Sequence, residues 1–372
     1  MSNTTAWVAG FRSAIVSPYE EFRLAEPREF ADQTVRQVLH LAGGGERLRV
    51  RLSNRYGRAP LVVGAAHIAV RKNGAEIVAE TDTALRFGGV ERVTIAAGAE
   101  IVSDAADLSV GAGSDLLLSL YLPEPTGPAT YSPVPNEIGY VTAGNTVSQV
   151  SPEDVEELGS RYFVTGIDVP ATGEPIIVAF GDSWFEGAGG TPGANRRSVD
   201  VLNERLPRGW AVNQGLSGNR ILVDEAGEHG LARFERDALA VPGATHVVVN
   251  FGINDLCLGE PLPVADLIAG FTELARRAHA AGLPVYANTI GPFAGKIYPG
   301  GDAVAAAPLR REVNEWLRGT DVFDGVFDVA RAVEDPERPD YIRPDLDAGD
   351  GMHLNDAGAL LMGETMRIPL EG

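Results

Sequence analysis

The chain has 372 residues, enough for about two packed domains. Its 51 acidic and 31 basic side chains give a formal net charge of -20, which repels phosphate backbones and anionic lipid and so argues against nucleic-acid or membrane partners. A single cysteine, Cys257, excludes an internal disulfide, and no apolar run approaches the ~18 residues of a membrane span.

In chain order, the start Met1-Ser2-Asn3-Thr4-Thr5 has neither the basic nor the apolar region of a secretory signal, so a cytoplasmic protein is expected, with secretion after signal removal left open. From there to residue 172, β patterns dominate. Residues 47–52 alternate strictly, and Leu116, Leu118, Leu120 and Leu122 share one face of the run 115–122, which predicts strands with one buried and one wet side. Further strands are expected at 34–41, 61–70, 92–95, 138–142 and 162–167, with turns such as Gly43-Gly44-Gly45 between them. So many short strands, with hardly a helical period, predict an all-β sandwich of jelly-roll type over 1–172. The acidic stretch 153–157 is expected to be a solvated helical turn.

Residues 168–175 divide the chain, and beyond them the pattern becomes strand, loop, helix. Strands are expected at 176–180, 210–213, 245–251, 284–289 and 325–328, and helices at 197–206, 231–239, 264–280, 309–318 and 356–366. For 173–372 this alternation predicts an α/β domain whose parallel sheet has helices on both faces. Ligands bind beyond the carboxyl ends of the strands in such domains.

Chemistry concentrates at those ends. Gly181-Asp182-Ser183 directly follows the apolar run Ile176-Ile177-Val178-Ala179-Phe180. A serine hydroxyl attacks poorly unless a base takes its proton and fixed donors hold the oxyanion that forms. Of the six histidines, His353 sits in a loop with a carboxylate three residues earlier, in Asp350-Gly351-Met352-His353, a spacing that lets one turn set acid against imidazole. Donors are offered by two glycine-rich segments after strands, Asn213-Gln214-Gly215-Leu216-Ser217-Gly218-Asn219 and Gly252-Ile253-Asn254-Asp255. Singly, each has a bland reading: Ser183 as a helix N-cap, Gly218 and Asn254 as turn residues, His353 as a surface residue before a helix.

These four blocks, in this order, resemble the SGNH or GDSL hydrolase family over roughly residues 174–368. The resemblance implies a flavodoxin-like three-layer α/β/α catalytic domain, here preceded by an all-β accessory domain. It implies Ser183 as nucleophile, His353 as base and Asp350 as its orienter. The implied oxyanion hole comprises the Ser183 and Gly218 N–H groups and the Asn254 amide, with Gly252 and Asp255 in flanking positions. Where relatives often continue with small or polar residues, this chain has Trp184-Phe185-Glu186-Gly187. Trp184 and Phe185 are therefore expected at the mouth of the site as substrate contacts; stacking on sugar faces is one reading of these two and of Trp7 and Tyr298, and core or rim packing is the commoner one for each.

Other chemistries find less support. The segment Gly187-Ala188-Gly189-Gly190-Thr191-Pro192-Gly193 departs from a dinucleotide loop, since Pro192 stands where its third glycine belongs, and no phosphate-cradling lysine motif follows. Asp345, Asp347 and Asp350 lack calcium-loop spacing, the histidines lack zinc spacing, and Phe185 takes the place of the second glycine of an α/β-hydrolase elbow. No metal and no cofactor are expected. The expected function is hydrolysis of short-chain carboxylic esters, with O-acetylated carbohydrate the leading natural class. Partners would be small-molecule or oligosaccharide esters. The alternatives are an arylesterase, lipase or acyltransferase of the same family, or a non-catalytic carbohydrate-binding protein.

Overall fold

A computed structural model describes residues 5–296 and 301–370. The chain forms two units, Met1–Gly173 and Glu174–Gly372.

The first unit is β-rich, and its strands pair antiparallel. One sheet runs in the order Trp7–Arg12, Val164–Pro170, Arg49–Ser53, Glu100–Val102. A larger one runs Glu156–Leu158, Gly139–Ala143, Gln33–His40, Asp115–Leu122, Ala65–Asn73, Glu76–Ile77. The predicted strand 61–70 breaks at Gly64, so that Leu61–Val63 pairs with Val93–Ile95 while Ala65–Asn73 joins Asp115–Leu122. Likewise 162–167 breaks at Phe163, whose φ of 60° turns the chain from Tyr131–Ser132 toward the smaller sheet.

Two expectations for this unit are corrected. The strand Asp115–Leu122 has no wet face, because Leu117 packs with Val38, Ala69, Ile77 and Tyr140, and Ser119 accepts a hydrogen bond from the buried guanidinium of Arg36. The acidic stretch is not a helical turn: Glu156–Leu158 is an edge strand paired with Gly139–Ala143, with Arg28 bound to the Glu156 carboxylate.

The second unit has one parallel sheet in the order Trp210–Gly215, Ile176–Gly181, His246–Asn250, Val285–Asn288, Gly325–Phe327. Numbered along the chain this is 2-1-3-4-5, the flavodoxin-like winding. Ile176–Gly181 is buried along its whole length, as a strand covered on both faces must be, which explains its unbroken apolar sequence. The helices Ser198–Arg205, Val329–Val333 and Asp356–Thr365 pack with one another, and Gly230–Phe234, Val264–Ala280 and Ala303–Gly319 form a second group. In Val264–Ala280 the buried Leu267, Gly270, Phe271, Leu274, Ala275 and Ala278 trace one helical face. Ala303–Gly319 begins upstream of the predicted 309, running through Pro308 from an Asp302 cap on the Ala305 N–H.

The strand order reverses between Ile176–Gly181 and His246–Asn250, which opens a crevice at their carboxyl ends. The loop before Asp356–Thr365 reaches that edge and is held by Asn355. Its Oδ1 accepts from the N–H groups of Ala357 and Gly358, and its Nδ2 donates to the carbonyls of Asp345 and Asp347. Asn355→Ala loses the helix cap and the loop tether together. It is expected to cost about 2 kcal/mol and to lower the melting temperature by roughly 4–8 °C. Asn355→Asp, which keeps the cap, should lose less.

Candidate active site

The Ser183 segment is shaped by close backbone approach. A Cβ at Gly181 would lie 2.5 Å from the carbonyl oxygen of Asn250, so only glycine fits where the central strands end. Asp182 caps the short helix Ser183–Glu186: its Oδ1 accepts from the Trp184 N–H at 3.1 Å and from Asn250 Nδ2 at 2.8 Å. Asn250 Oδ1 in turn accepts from Asn288 Nδ2 at 3.1 Å, which links three adjacent strand ends. The cap is thus Asp182, and Ser183 is the first helical residue.

Ser183 is 2% exposed, and its Oγ lies 3.0 Å from His353 Nε2. His353 Nδ1 lies 2.6 Å from Asp350 Oδ2, while Asp350 Oδ1 accepts from the N–H groups of Met352 and His353. With the Nδ1 hydrogen given to the carboxylate, Nε2 is left to accept the serine hydroxyl. A carboxylate partner does not by itself mark the site, because His40, His67, His229 and His279 also pair with aspartates. Among the described residues, His353 alone joins a carboxylate to a serine hydroxyl.

Two close contacts fix the histidine loop. Gly351 has φ of 71°, and a Cβ there would lie 1.9 Å from the Gly295 carbonyl. The Trp184 indole N–H donates to the Met352 carbonyl at 2.9 Å, tying the residue after the serine to the residue before the histidine.

The donors converge on the same strand ends. Gly218, with φ of 74°, forms the tight turn in which the Asn219 N–H reaches the Leu216 carbonyl. The N–H groups of Ser183 and Gly218 have no hydrogen-bond partner among the described residues, and both residues are buried. Asn254 is 1% exposed, and its Nδ2 gives one hydrogen to the Asn219 carbonyl at 3.0 Å. The second hydrogen of that amide is free for another acceptor. Asp255 Oδ1 takes the Ile221 N–H, and Glu186 Oε2 takes the Ser217 N–H at 2.6 Å, so both neighbouring blocks grip this turn.

Burial dominates the electrostatics. It pushes the Asp182 carboxyl up to about 7 and that of Asp255 up to about 6, and it raises the Cys257 thiol to about 12. Asp182 Oδ2 and Asp255 Oδ2 are buried without a hydrogen-bond partner among the described residues. No group of three or more His, Cys, Asp or Glu side chains among the described residues is arranged to hold a metal ion. The loop carboxylates are otherwise engaged, Asp345 with Arg343 and Asp347 with the N–H groups of Gly349 and Gly351. No helix among the described residues is long and apolar enough to cross a membrane.

The structure joins Ser183, His353 and Asp350 by hydrogen bonds and ties Asn254 to the turn that holds Gly218, but it corrects the expectation for Trp184 and Phe185. They are 4% and 0% exposed and do not line the mouth. Trp184 packs so tightly on Gly291 that a Cβ there would sit 2.0 Å from its ring, and Phe185 lies against Gly181. Trp7 stacks under the Arg49 guanidinium in the first unit, and Tyr298 lies outside the described residues. Sequence reasoning missed Asn250, Glu186, Asn219 and Arg233. For Asn250 the available signal was a polar residue at a buried strand end, where an apolar one is expected, whereas Arg233 sits inside the helix Gly230–Phe234 with no such mark.

Residues 179–361 match the model of the GDSL-like lipase/acylhydrolase family, and the second unit of this chain belongs to that family. Similar solved structures include the lipase/acylhydrolase from Enterococcus faecalis, at 21% identity over 52% of this chain and 93% of that one, with a TM-score of 0.39. A carbohydrate acetylesterase from Sinorhizobium meliloti is similar at 16% identity over 51% of this chain and 94% of that one, with a TM-score of 0.39. The inhibitor-bound aryl esterase of M. smegmatis is similar at 19% identity over 51% and 94%, with a TM-score of 0.41. No curated protein matches the chain.

The raised Asp182 carboxyl makes stability depend on pH. A carboxyl lifted from 3.8 to about 7 by burial favours the fold fully below its unfolded value, and that contribution is lost as pH rises to about 7. Asp182→Asn keeps an Oδ1 acceptor and removes the charge. Its melting temperature relative to the parent is therefore expected to rise between pH 5 and pH 8. Parallel stability curves over that range would show that this carboxyl does not titrate inside the fold.

Proposed function

We propose that this chain is a serine esterase that passes the acyl group of a short-chain carboxylic ester to water through an acyl-enzyme on Ser183. The observation that carries this reading is the line Asp350 Oδ2, His353, Ser183 Oγ, with steps of 2.6 and 3.0 Å, together with the buried Ser183 and Gly218 N–H groups, which have no partner among the described residues.

His353 Nε2 takes the hydroxyl proton as Ser183 Oγ bonds to the ester carbonyl carbon, and Asp350 orients the ring and stabilises its charged form. The negative charge that develops on the carbonyl oxygen is held by the N–H groups of Ser183 and Gly218 and by the Asn254 amide hydrogen not given to Asn219. As the tetrahedral carbon collapses, the carbon–oxygen bond to the alcohol breaks and the leaving oxygen takes the proton from His353. Water then repeats the sequence on the acyl-enzyme, freeing the acid and returning the proton to Ser183.

For the acyl and alcohol parts we favour acetyl groups on carbohydrate. Two features support this: the β-rich first unit, of the kind that accompanies some carbohydrate-active relatives, and the net charge of -20, which disfavours anionic lipid interfaces.

Ser183→Ala is expected to lower kcat on an acetyl nitrophenyl ester by about 10⁴-fold or more and to abolish labelling by a fluorophosphonate. A variant that keeps full activity would refute the nucleophile assignment. The parent should hydrolyse acetyl over octanoyl nitrophenyl esters by roughly tenfold or more in kcat/KM, and should release acetate from acetylated oligosaccharides. A preference for octanoyl would remove the short-chain reading and leave the serine chemistry standing.

A further inference from the structure

Arg233 is 1% exposed and lies outside the four blocks that define the site. Its guanidinium answers three acceptors on two segments at once. Nη2 donates to the Gly181 carbonyl at 2.7 Å, Nη1 to the Gln214 carbonyl at 3.1 Å, and Nε to Asn219 Oδ1 at 2.9 Å. Gly181 lies two residues before Ser183, Gln214 is the penultimate residue of the strand that leads into the Gly218 turn, and Asn219 closes that turn. The carbonyl of Asn219 in turn receives the Asn254 amide. One planar fork therefore joins two of the three segments that carry a proposed oxyanion donor and meets the third through Asn219, a task for which five donors in fixed directions suit arginine and not lysine.

This cation is not well placed for stability alone. Its nearest carboxylate oxygen, on Asp237, is 3.5 Å away, while its shorter bonds go to carbonyls and it stacks 4.2 Å from the Phe180 ring centroid. Burial pulls its pKa down to about 10, so the group stays charged at neutral pH. Burying a cation this way costs more than filling the space with an apolar side chain. The Asn219 side chain is fixed on its other side as well, its Nδ2 donating to the carbonyls of Ala226 and Glu228 at 2.9 Å each.

We propose that Arg233 is a positioning residue for the oxyanion hole: its guanidinium locks the Gly218-Asn219 turn to the Gly181 strand end, so that the Ser183 N–H, the Gly218 N–H and the Asn254 amide share one focus. The inference rests on the esterase reading above. Donors that are present but displaced lose charge stabilisation in the transition state while ground-state binding is little changed.

The test is a double-mutant cycle on an acetyl nitrophenyl ester. Arg233→Lys is expected to lower kcat by roughly 10- to 100-fold with KM within about threefold of the parent. Asn254→Ala alone should lose about 10²- to 10³-fold. In the Asn254→Ala background, Arg233→Lys should cost clearly less than it does in the parent, because one of the three donors it aligns is already gone. Losses that multiply in the double variant, or an unchanged kcat in Arg233→Lys, would overturn the proposal. Should Arg233→Lys fail to fold, Asn219→Ala cuts the link to the turn while leaving the guanidinium in place, and it is expected to show the same kcat loss. Parent-like kcat in Asn219→Ala would overturn the proposal equally. The Ser183→Ala control separates the two readings: activity there sinks the esterase, whereas full kcat in Arg233→Lys with an inactive Ser183→Ala sinks only the role of Arg233.

Discussion

Polar groups can be collected at the buried carboxyl edge of a parallel sheet only if nearly every donor there meets an acceptor, since each orphaned buried group costs about 1–3 kcal/mol. In this protein that requirement is met across neighbouring strand ends and not within each one. Asp182, Asn250 and Asn288 answer one another across three strands, Asn254 answers Asn219, Asp255 answers Ile221, and Arg233 answers Gly181, Gln214 and Asn219. Among the described residues the Ser183 and Gly218 backbone N–H groups have no acceptor at this edge, and donors left open in a desolvated site are what a developing negative charge requires.

The histidine reaches this edge by a different means. Strand ends are held in register by the sheet, but residues 345–354 form a loop, and a loop must be fixed by its own contacts. Backbone contact between Gly351 and Gly295, the Asn355 side chain, and the Trp184 indole on the Met352 carbonyl provide them. Trp184 thus takes part in the site's geometry without touching its mouth. Large side chains directly after the serine are tolerated here because Gly291 leaves room for the ring.

Much of this was legible in the sequence where the signal was local or periodic. The apolar run before Ser183, the helical period that ends at Ala280, and the glycines at tight turns each carry their structural consequence within a few residues. The errors arose where burial depends on a distant partner. Leu117 sits on the face of its strand that alternation assigns to water, yet Val38, Ala69 and Tyr140 cover it. Glu156 is exposed as expected, but its backbone pairs as an edge strand with Gly139–Ala143 in place of a helical turn. Arg233, one basic residue in a short helix, carries no local mark of its burial, which follows only when the Gly181 strand end and the 213–219 segment are brought together around it.

The sequence by itself determined the division into a β-rich and an α/β portion, the order of the four blocks, and the residue types able to act as nucleophile, base, orienter and donors. Those are properties of neighbouring residues and of short periodicities, which exist before the chain folds. Tertiary structure decided which histidine among several paired with carboxylates meets a serine, which aromatic side chains leave the surface, and which cation aligns the donors. Each of these depends on distances between segments remote in the chain, and such distances are set by sheet register and by the need to satisfy buried polar groups.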